Sequence, residues 1–290
     1  MIKLAIVKGS GAFLPEAYAY YDFFKKYNYG IDAKIYNSVD SITDADVAIV
    51  FYGFYPLWKK YDFFIIGEYN SVSIGRFSKI KDFFKTRLNK RDFLFFLNDF
   101  VQKELNYKNE DYILRGMGFF NELIVKHKND YTYDIVYSGT INRYGLKERI
   151  IALAKLGFKI AVIGTAEFIH ENVSSLGKLP LPEVYKLYAT CKYGLNYTPD
   201  IYPYKYQDST KVIEYCAAGL KVITNKYSWI NEFELLNKGN FLDLDTINDK
   251  NDVANFHFII PNVEKYSWDN VIRKSGMIDT IKQLNAKKCL

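Results

Sequence analysis

Short apolar runs, each followed by a polar or amphipathic stretch, recur along almost the whole sequence, and this rhythm limits the chain to few architectures. The runs at 2–7, 32–36, 46–52, 63–66, 93–97 and 112–114 read as buried strands, as do 134–140, 158–163, 193–197 and 220–224. Between them lie helical patterns: a start at Pro15-Glu16-Ala17, then 71–91, 99–105, 146–156, a segment reaching Cys191 after 179–183, and 268–284. Strands that alternate with helices imply βαβ units and mostly parallel sheets. With 290 residues, 49% of them hydrophobic, the chain has material for one large or two modest cores. The rhythm breaks at the polar, charged stretch 119–131, which contains His127, as expected of a linker. The expected fold class is therefore α/β, with an N-terminal Rossmann-like domain at 1–125, a second at 126–262, and a closing helical segment at 263–290 free to cross back to the first.

Composition narrows the function classes. Charged residues make up 25%, so the chain is not a disordered one. Cys191, Cys216 and Cys289 lack metal-ligand or disulfide spacing, which points to a reducing cytoplasm. The opening apolar run is cut short by Lys8-Gly9-Ser10, unlike a signal peptide, and no run of about 18 apolar residues is present to span a membrane. His127, His170 and His257 are scattered, and neither a Gly-x-Ser-x-Gly elbow nor a Gly-Lys-Ser/Thr phosphate loop occurs, which lowers hydrolase and NTPase readings. A formal net charge of +6 permits an anionic partner without choosing one.

The stretch from Ser209 to Asn225 is the most informative. Ser209 and Thr210 are suited to cap a helix, Lys211 adds a cation in its first turn, Glu214 follows one turn later, and Gly219 turns the chain into an apolar strand. A helix N-terminus offers unpaired N–H groups and partial positive charge to a phosphate, while a carboxylate one turn on can accept from the hydroxyls of a ribose. The plainer alternative is a capped amphipathic helix before a buried strand. Ligands of open parallel sheets gather beyond the carboxyl ends of the strands. Ser138-Gly139-Thr140, Gly164-Thr165 and the loop into Ser209 all reach that edge, with Arg143 and Lys147 near enough to add positive charge. Gly9-Ser10-Gly11 after the first strand likewise suits a backbone that comes close to a ligand or a neighbouring helix.

The run from Tyr137-Ser138-Gly139-Thr140-Ile141 through Ser209–Asn225 resembles the nucleotide-sugar-binding domain of GT-B glycosyltransferases. The resemblance implies two Rossmann-like domains facing across a cleft and transfer from a nucleotide-diphosphate sugar such as a UDP-sugar. It also implies that no cofactor and no metal is needed beyond that co-substrate. On this pattern Gly139 and Thr140 lie beside the donor diphosphate, Ser209, Thr210 and Lys211 contact phosphate, and Glu214 holds the ribose, with Gly164, Arg143 and Lys147 as further donor contacts. Many retaining members carry a second glutamate, separated from this one by seven intervening residues; here Tyr206 stands in its place, which leaves retention or inversion open. The first half is similar to the acceptor domain. Glu68, after a strand, is the first candidate for a general base, with Asp99 as a weaker one and a structural capping role as the alternative. Lys211 is the second residue expected to serve catalysis. Asp243-Leu244-Asp245 has the letters of an Asp-x-Asp metal motif but falls late and away from the expected edge.

One further stretch stands apart. Arg76, Lys79, Lys81, Lys85, Arg87, Lys90 and Arg91 accompany Phe77, Ile80, Phe84 and Leu88 at helical spacing. Either the apolar stripe packs into the domain beneath a solvated basic face, or that face meets an anionic membrane surface or a phosphorylated acceptor. The expected partners are thus a nucleotide-sugar donor, a saccharide or lipid-linked acceptor of cell-surface polysaccharide synthesis, and an anionic inner membrane face. The rivals are a phage-type DNA base glycosyltransferase, since DNA attracts the same charges, and a non-catalytic nucleotide- or sugar-binding protein.

Overall fold

Burial shows why the apolar runs become interior strands. In the computed structural model, Val47–Phe51 is buried at every residue and Phe64–Tyr69 at all but its first, as expected of parallel strands covered on both faces. Residues 1–9, 14–51, 61–89, 91–105, 110–125, 130–164, 168 and 170–288 are described. They divide into two units, 1–118 with 266–290, and 119–265, a few residues from the expected junctions at 125/126 and 262/263.

The first unit runs β1 (Ile2–Val7), α1 (Pro15–Lys26), β2 (Ile31–Tyr36), β3 (Val47–Phe51), β4 (Phe64–Tyr69), α2 (Ser78–Leu88), β5 (Phe93–Phe96), α3 (Asp99–Leu105) and β6 (Tyr112–Leu114). Its six strands are parallel in the order β2-β1-β3-β4-β5-β6. On one face Ala5, Val7, Ala48, Val50, Ile65, Leu94 and Phe96 pack with Val101 and Leu105 of α3. The strand expected at 63–66 continues to Tyr69, so Glu68 lies inside β4, paired in register with Phe51 and Phe95. Ser10, Gly11, Tyr52, Lys90, His127, Thr165 and Cys289 fall outside the described residues.

The second unit runs β7 (Tyr133–Ser138), α4 (Leu146–Lys155), β8 (Ile160–Ile163), β9 (Val173–Ser175), α5 (Leu181–Tyr188), β10 (Cys191–Asn196), α6 (Thr210–Ala217), β11 (Lys221–Thr224), α7 (Ser228–Asn237), β12 (Leu242–Asp243) and α8 (Lys250–Asn255). Its parallel order is β12-β11-β10-β7-β8-β9, so consecutive strands step outward on one side of β7 and then on the other side from β10. The loops that follow β7 and β10 therefore diverge at the carboxyl edge, where open α/β sheets hold ligands. One face is closed by Leu146, Ile150 and Leu153 of α4 against Ile135, Tyr137, Ile160, Val162 and Leu195.

The final segment, 266–290, belongs to the first unit and forms two helices, α9 (Trp268–Lys274) and α10 (Met277–Lys288). The expected single closing helix is broken by Ser275-Gly276, where Gly276 takes φ +83°. Lys26 and the Tyr27 hydroxyl bind Asp269 at 2.9 and 2.6 Å, and Lys288 reaches Asp46 at 3.0 Å, which fixes both helices to the first sheet's layers. The Trp268 ring lies so close to Gly118 that any side chain there would clash with the indole.

Of the two alternatives for α2, the structure does not show the packed stripe. The helix has no buried residue, and Phe77, Ile80, Phe83, Phe84 and Leu88 are all exposed. It attaches instead through polar contacts: both Asp82 carboxylate oxygens accept from Ser73 N–H at 3.0 and 3.2 Å, and the Tyr69 hydroxyl donates to the Lys85 carbonyl at 3.2 Å.

Candidate functional site

The carboxyl edge of the second sheet is assembled from glycine turns pressed together. Gly139 N–H donates to the Ile163 carbonyl at 2.9 Å and Gly164 N–H to the Gly177 carbonyl at 2.8 Å. A side chain at Gly164 would run into the Gly139 carbonyl oxygen, so backbone meets backbone where β7 and β8 end. The Tyr137 hydroxyl donates to the Thr140 carbonyl at 2.8 Å and holds that turn in shape, leaving the Thr140 side chain exposed.

Helix α6 brings Lys211 to the same place. A Cβ added at Gly139 would stand 3.5 Å from the Lys211 Nζ, and that ammonium lies 5.8 Å from the Tyr137 ring centroid. Ser209 is the N-cap: its Oγ accepts from Val212 N–H at 3.4 Å and donates to Asn196 Oδ1 at 2.9 Å. Asn196 ends β10 and donates to Thr224 Oγ1 of β11 at 2.9 Å, so the start of α6 is tied to two strands. Ser209 is buried and its hydroxyl is committed to this cap, which corrects the expectation of a side-chain phosphate contact there. The donors left at this helix end are the backbone N–H groups of its first residues, Thr210 and the Lys211 ammonium.

Glu214 sits one turn on, half-buried, beside hydroxyls that the sequence reading did not single out. The Tyr188 hydroxyl donates to Glu214 Oε2 at 3.4 Å and is 2.6 Å from Ser138 Oγ, which joins α5, α6 and the end of β7. The Tyr185 hydroxyl is buried beside the same carboxylate without a well-aligned hydrogen bond. The Tyr215 hydroxyl accepts from Ser138 N–H at 3.2 Å, and its ring lies on Gly194 of β10, where a Cβ would collide with it. Burial pushes the Glu214 carboxyl up to about 7, opposed by Tyr185, by the Lys211 charge and by Tyr188. Burial and the nearby Arg143 charge lower Lys211 to about 8, against the pull of Glu214. One cation and one carboxylate with poised protonation thus stand together at the divergence of the two loops.

Arg143 belongs to this edge as a clamp: its Nη1 donates to the Tyr197 carbonyl at 2.6 Å and to Thr198 Oγ1 at 2.9 Å, and so spans the loops after β7 and β10. Lys147 does not join them, because it is exposed with its ammonium 5.8 Å from the Phe168 ring centroid. Tyr206 is exposed in a short turn, with Lys205 above its ring. Asp243 ends β12 at the sheet margin, and Asp245 pairs with Arg149.

In the first unit, Glu68 has a different surrounding from the one expected. It is 1% exposed, pairs with Arg115 Nε at 2.7 Å, and accepts from the Tyr20 hydroxyl at 2.9 Å. Arg115 also donates to Asn70 Oδ1 at 2.7 Å and lies 3.8 Å from Glu16, with its guanidinium carbon 5.4 Å from the Trp268 ring centroid. Burial, followed by Glu16 repulsion once the opposing Arg115 charge is counted, leaves the Glu68 carboxyl raised to about 7. A carboxylate sealed against an arginine has no surface to offer an acceptor hydroxyl, so Glu68 is a structural group and not the open base anticipated. Asp99 lies in the first turn of α3, and Gly9 takes φ +72° after β1.

No family model and no curated protein matches this chain. Solved structures do. The chain is similar to Anabaena HepE crystallised with UDP-glucose, at 14% identity and a TM-score of 0.60, with 100% of this chain and 99% of that one covered. It is similar to sucrose-phosphate synthase from Thermosynechococcus elongatus at 11% identity, TM-score 0.60, covering 99% and 97%. WaaG, a glycosyltransferase of lipopolysaccharide biosynthesis, aligns at 13% identity and TM-score 0.57 over 99% and 94%. With a parallel Rossmann-type sheet in each unit and likeness along the whole length, the chain has the two-domain α/β GT-B fold.

Proposed function

We propose that the chain is a glycosyltransferase that moves a sugar from a nucleotide-diphosphate sugar, with a UDP-sugar the first choice, onto a hydroxyl of a saccharide or lipid-linked acceptor. The observation that carries this reading is the meeting of the Gly139 turn, the Lys211 ammonium and the Glu214 carboxylate where the loops after β7 and β10 part. In the reaction the charge that grows is on the departing diphosphate. Amides at the Gly139 turn and the α6 N-terminus, together with Lys211 and Thr210, are preorganised donors for it. Glu214, steadied by Tyr188, accepts from the ribose hydroxyls and serves binding more than bond cleavage. The first unit supplies the acceptor surface, and the protein works in the reducing cytoplasm, consistent with the unpaired, buried Cys191 and Cys216. HepE crystallised with UDP-glucose and WaaG acting in lipopolysaccharide biosynthesis support this class of donor and product. Neither DNA base glycosylation nor a purely non-catalytic binder gains support from these likenesses.

Calorimetric titration with UDP tests the reading. Wild type binds, and Glu214→Ala weakens binding by about tenfold or more while its circular dichroism stays native, as expected for the loss of one hydrogen-bonded carboxylate. Equal affinity in the variant would remove Glu214 from the site. A thermal-shift screen of UDP, GDP, CMP and their sugars then identifies the base, because a ligand bound only to the native state raises its melting temperature.

A further inference from the structure

Helix α2 is built inside out, and its neighbours on the surface say what it is for. Counting 100° per residue, Ser78, Asp82, Lys85 and Thr86 fall on one side, and these are its half-buried residues. The opposite side carries Ile80, Phe83, Phe84, Arg87 and Leu88, with Lys79 and Lys81 at its margins. Ile80 is 54% exposed, Phe83 57%, and Phe77 at the helix start 59%, while Ile74 just before adds another exposed apolar side chain. A water-facing helix of a soluble domain normally hides such a stripe and shows its polar residues. Here polar groups hold the helix to its unit, the Asp82 carboxylate accepting from Ser73 N–H and the Lys85 carbonyl from the Tyr69 hydroxyl, and the apolar side is left outward. A contiguous exposed patch of this kind marks a surface that meets something apolar.

Charge selects the partner. Arg76, Lys79, Lys81 and Arg87 are exposed around the patch, and none of them has an acidic partner among the described residues. Arg76 and Arg87 lie over Phe77 and Phe83 at 5.9 and 5.8 Å to the ring centroids, so cation and aromatic are presented together. Basic side chains flanking an aromatic and aliphatic face match a negatively charged lipid surface, where the rings enter the headgroup boundary and the cations meet phosphates. We infer that residues 74–88 form a docking surface for an anionic phospholipid bilayer, with α2 lying in the plane of the membrane. This goes beyond the donor site and does not depend on the transferase reading. No helix among the described residues is long and apolar enough to cross a membrane, so this attachment is to the surface.

The test is flotation of the full chain with vesicles of phosphatidylcholine containing phosphatidylglycerol, against vesicles of phosphatidylcholine alone. Wild type floats with the anionic vesicles only, and less of it does as salt is raised. Ile80→Ser/Phe83→Ser and Lys79→Glu/Lys81→Glu each lower partitioning by about tenfold or more. Because these side chains are exposed, both variants keep the wild-type melting temperature and UDP titration, which separates failure here from failure of the donor site. The inference is overturned if wild type stays with neither vesicle or binds both equally. It is also overturned if the serine variant unfolds, which would mean that the stripe is packed. A dimer in sedimentation velocity that the same substitutions dissolve, without lipid binding, would assign the patch to a second copy, and retardation of duplex DNA without flotation would assign the charges to nucleic acid.

Discussion

Lys211 and Glu214 are held close to the pH at which each changes charge, and the direction of each shift fixes how donor binding should follow pH. Lys211 is lowered to about 8, so in the free protein it loses its proton as pH rises through that value, and a diphosphate needs it charged. Glu214 is raised to about 7, so it becomes neutral as pH falls through that value, and a ribose held by two accepted hydrogen bonds needs it ionised. UDP affinity should therefore peak between about pH 7 and 8, with apparent values that belong to the pair. Lys211→Met flattens the alkaline limb and Glu214→Gln the acid limb; calorimetry at a series of pH values reads both. Glu68 gives an independent check on its reassignment. Its carboxyl is raised from 4.5 to about 7 in the folded chain, so the native state binds a proton that the unfolded state releases, and stability falls as pH rises across that window. Glu68→Gln removes this loss, so the stability difference between wild type and variant changes across the window by on the order of 3 kcal/mol in denaturant titrations. A base variant would instead abolish turnover at every pH, whereas Glu68→Gln is expected to retain it.

At the scale of elements, the second sheet's edge depends on how α6 begins. The Ser209 hydroxyl both caps the helix and holds Asn196, so Ser209→Ala loses a cap worth about 1 kcal/mol and leaves the Asn196 carbonyl short of a donor. Chemical unfolding should show a loss of about 1–3 kcal/mol, and UDP affinity should fall with it, since the first turn of α6 frays. The sequence made this element legible, because Ser209-Thr210 before an apolar spacing and Gly219 after it are local signals. The longer strands were legible for the same reason: continuous apolar runs such as Leu4-Ala5-Ile6-Val7 and Val47–Phe51 need no tertiary information. Val173–Ser175 and Leu242–Asp243 carry too few apolar residues to announce themselves, and α7 hides its helix because Leu235 and Leu236 face solvent and blur the stripe. The orientation of α2 was not readable either, since periodicity gives a stripe but not which way it faces. Tyr185 and Tyr188 were missed as partners of Glu214 because their meeting depends on α5 packing beside α6; their spacing of one turn on a strongly amphipathic helix was the only trace.

For the molecule as a whole, two parallel sheets of the same size put their chemistry to different ends. The first, with its order turning between β1 and β3, closes charges into Glu16, Arg115 and Glu68 beside the Trp268 ring. The second, turning between β7 and β10, keeps Lys211 and Glu214 half-buried and leaves Thr140 open. Among the described residues, the charges and helix-end amides suited to the proposed anionic nucleotide stand at the second sheet, whereas the first presents a paired cluster whose disruption would strand a buried charge. Hydrogen exchange with and without UDP should register that asymmetry. The largest gain in protection is expected at 137–143, 185–188 and 209–215, because the ligand ties the turn after β7 to the start of α6 and slows the local openings that expose both. Strands β1 to β6 should exchange at nearly unchanged rates, since nothing in the Glu16–Arg115–Glu68 cluster is released by the nucleotide. Protection centred on that cluster, with 209–215 unaltered, would move the nucleotide to the first sheet and with it the assignment of donor and acceptor units.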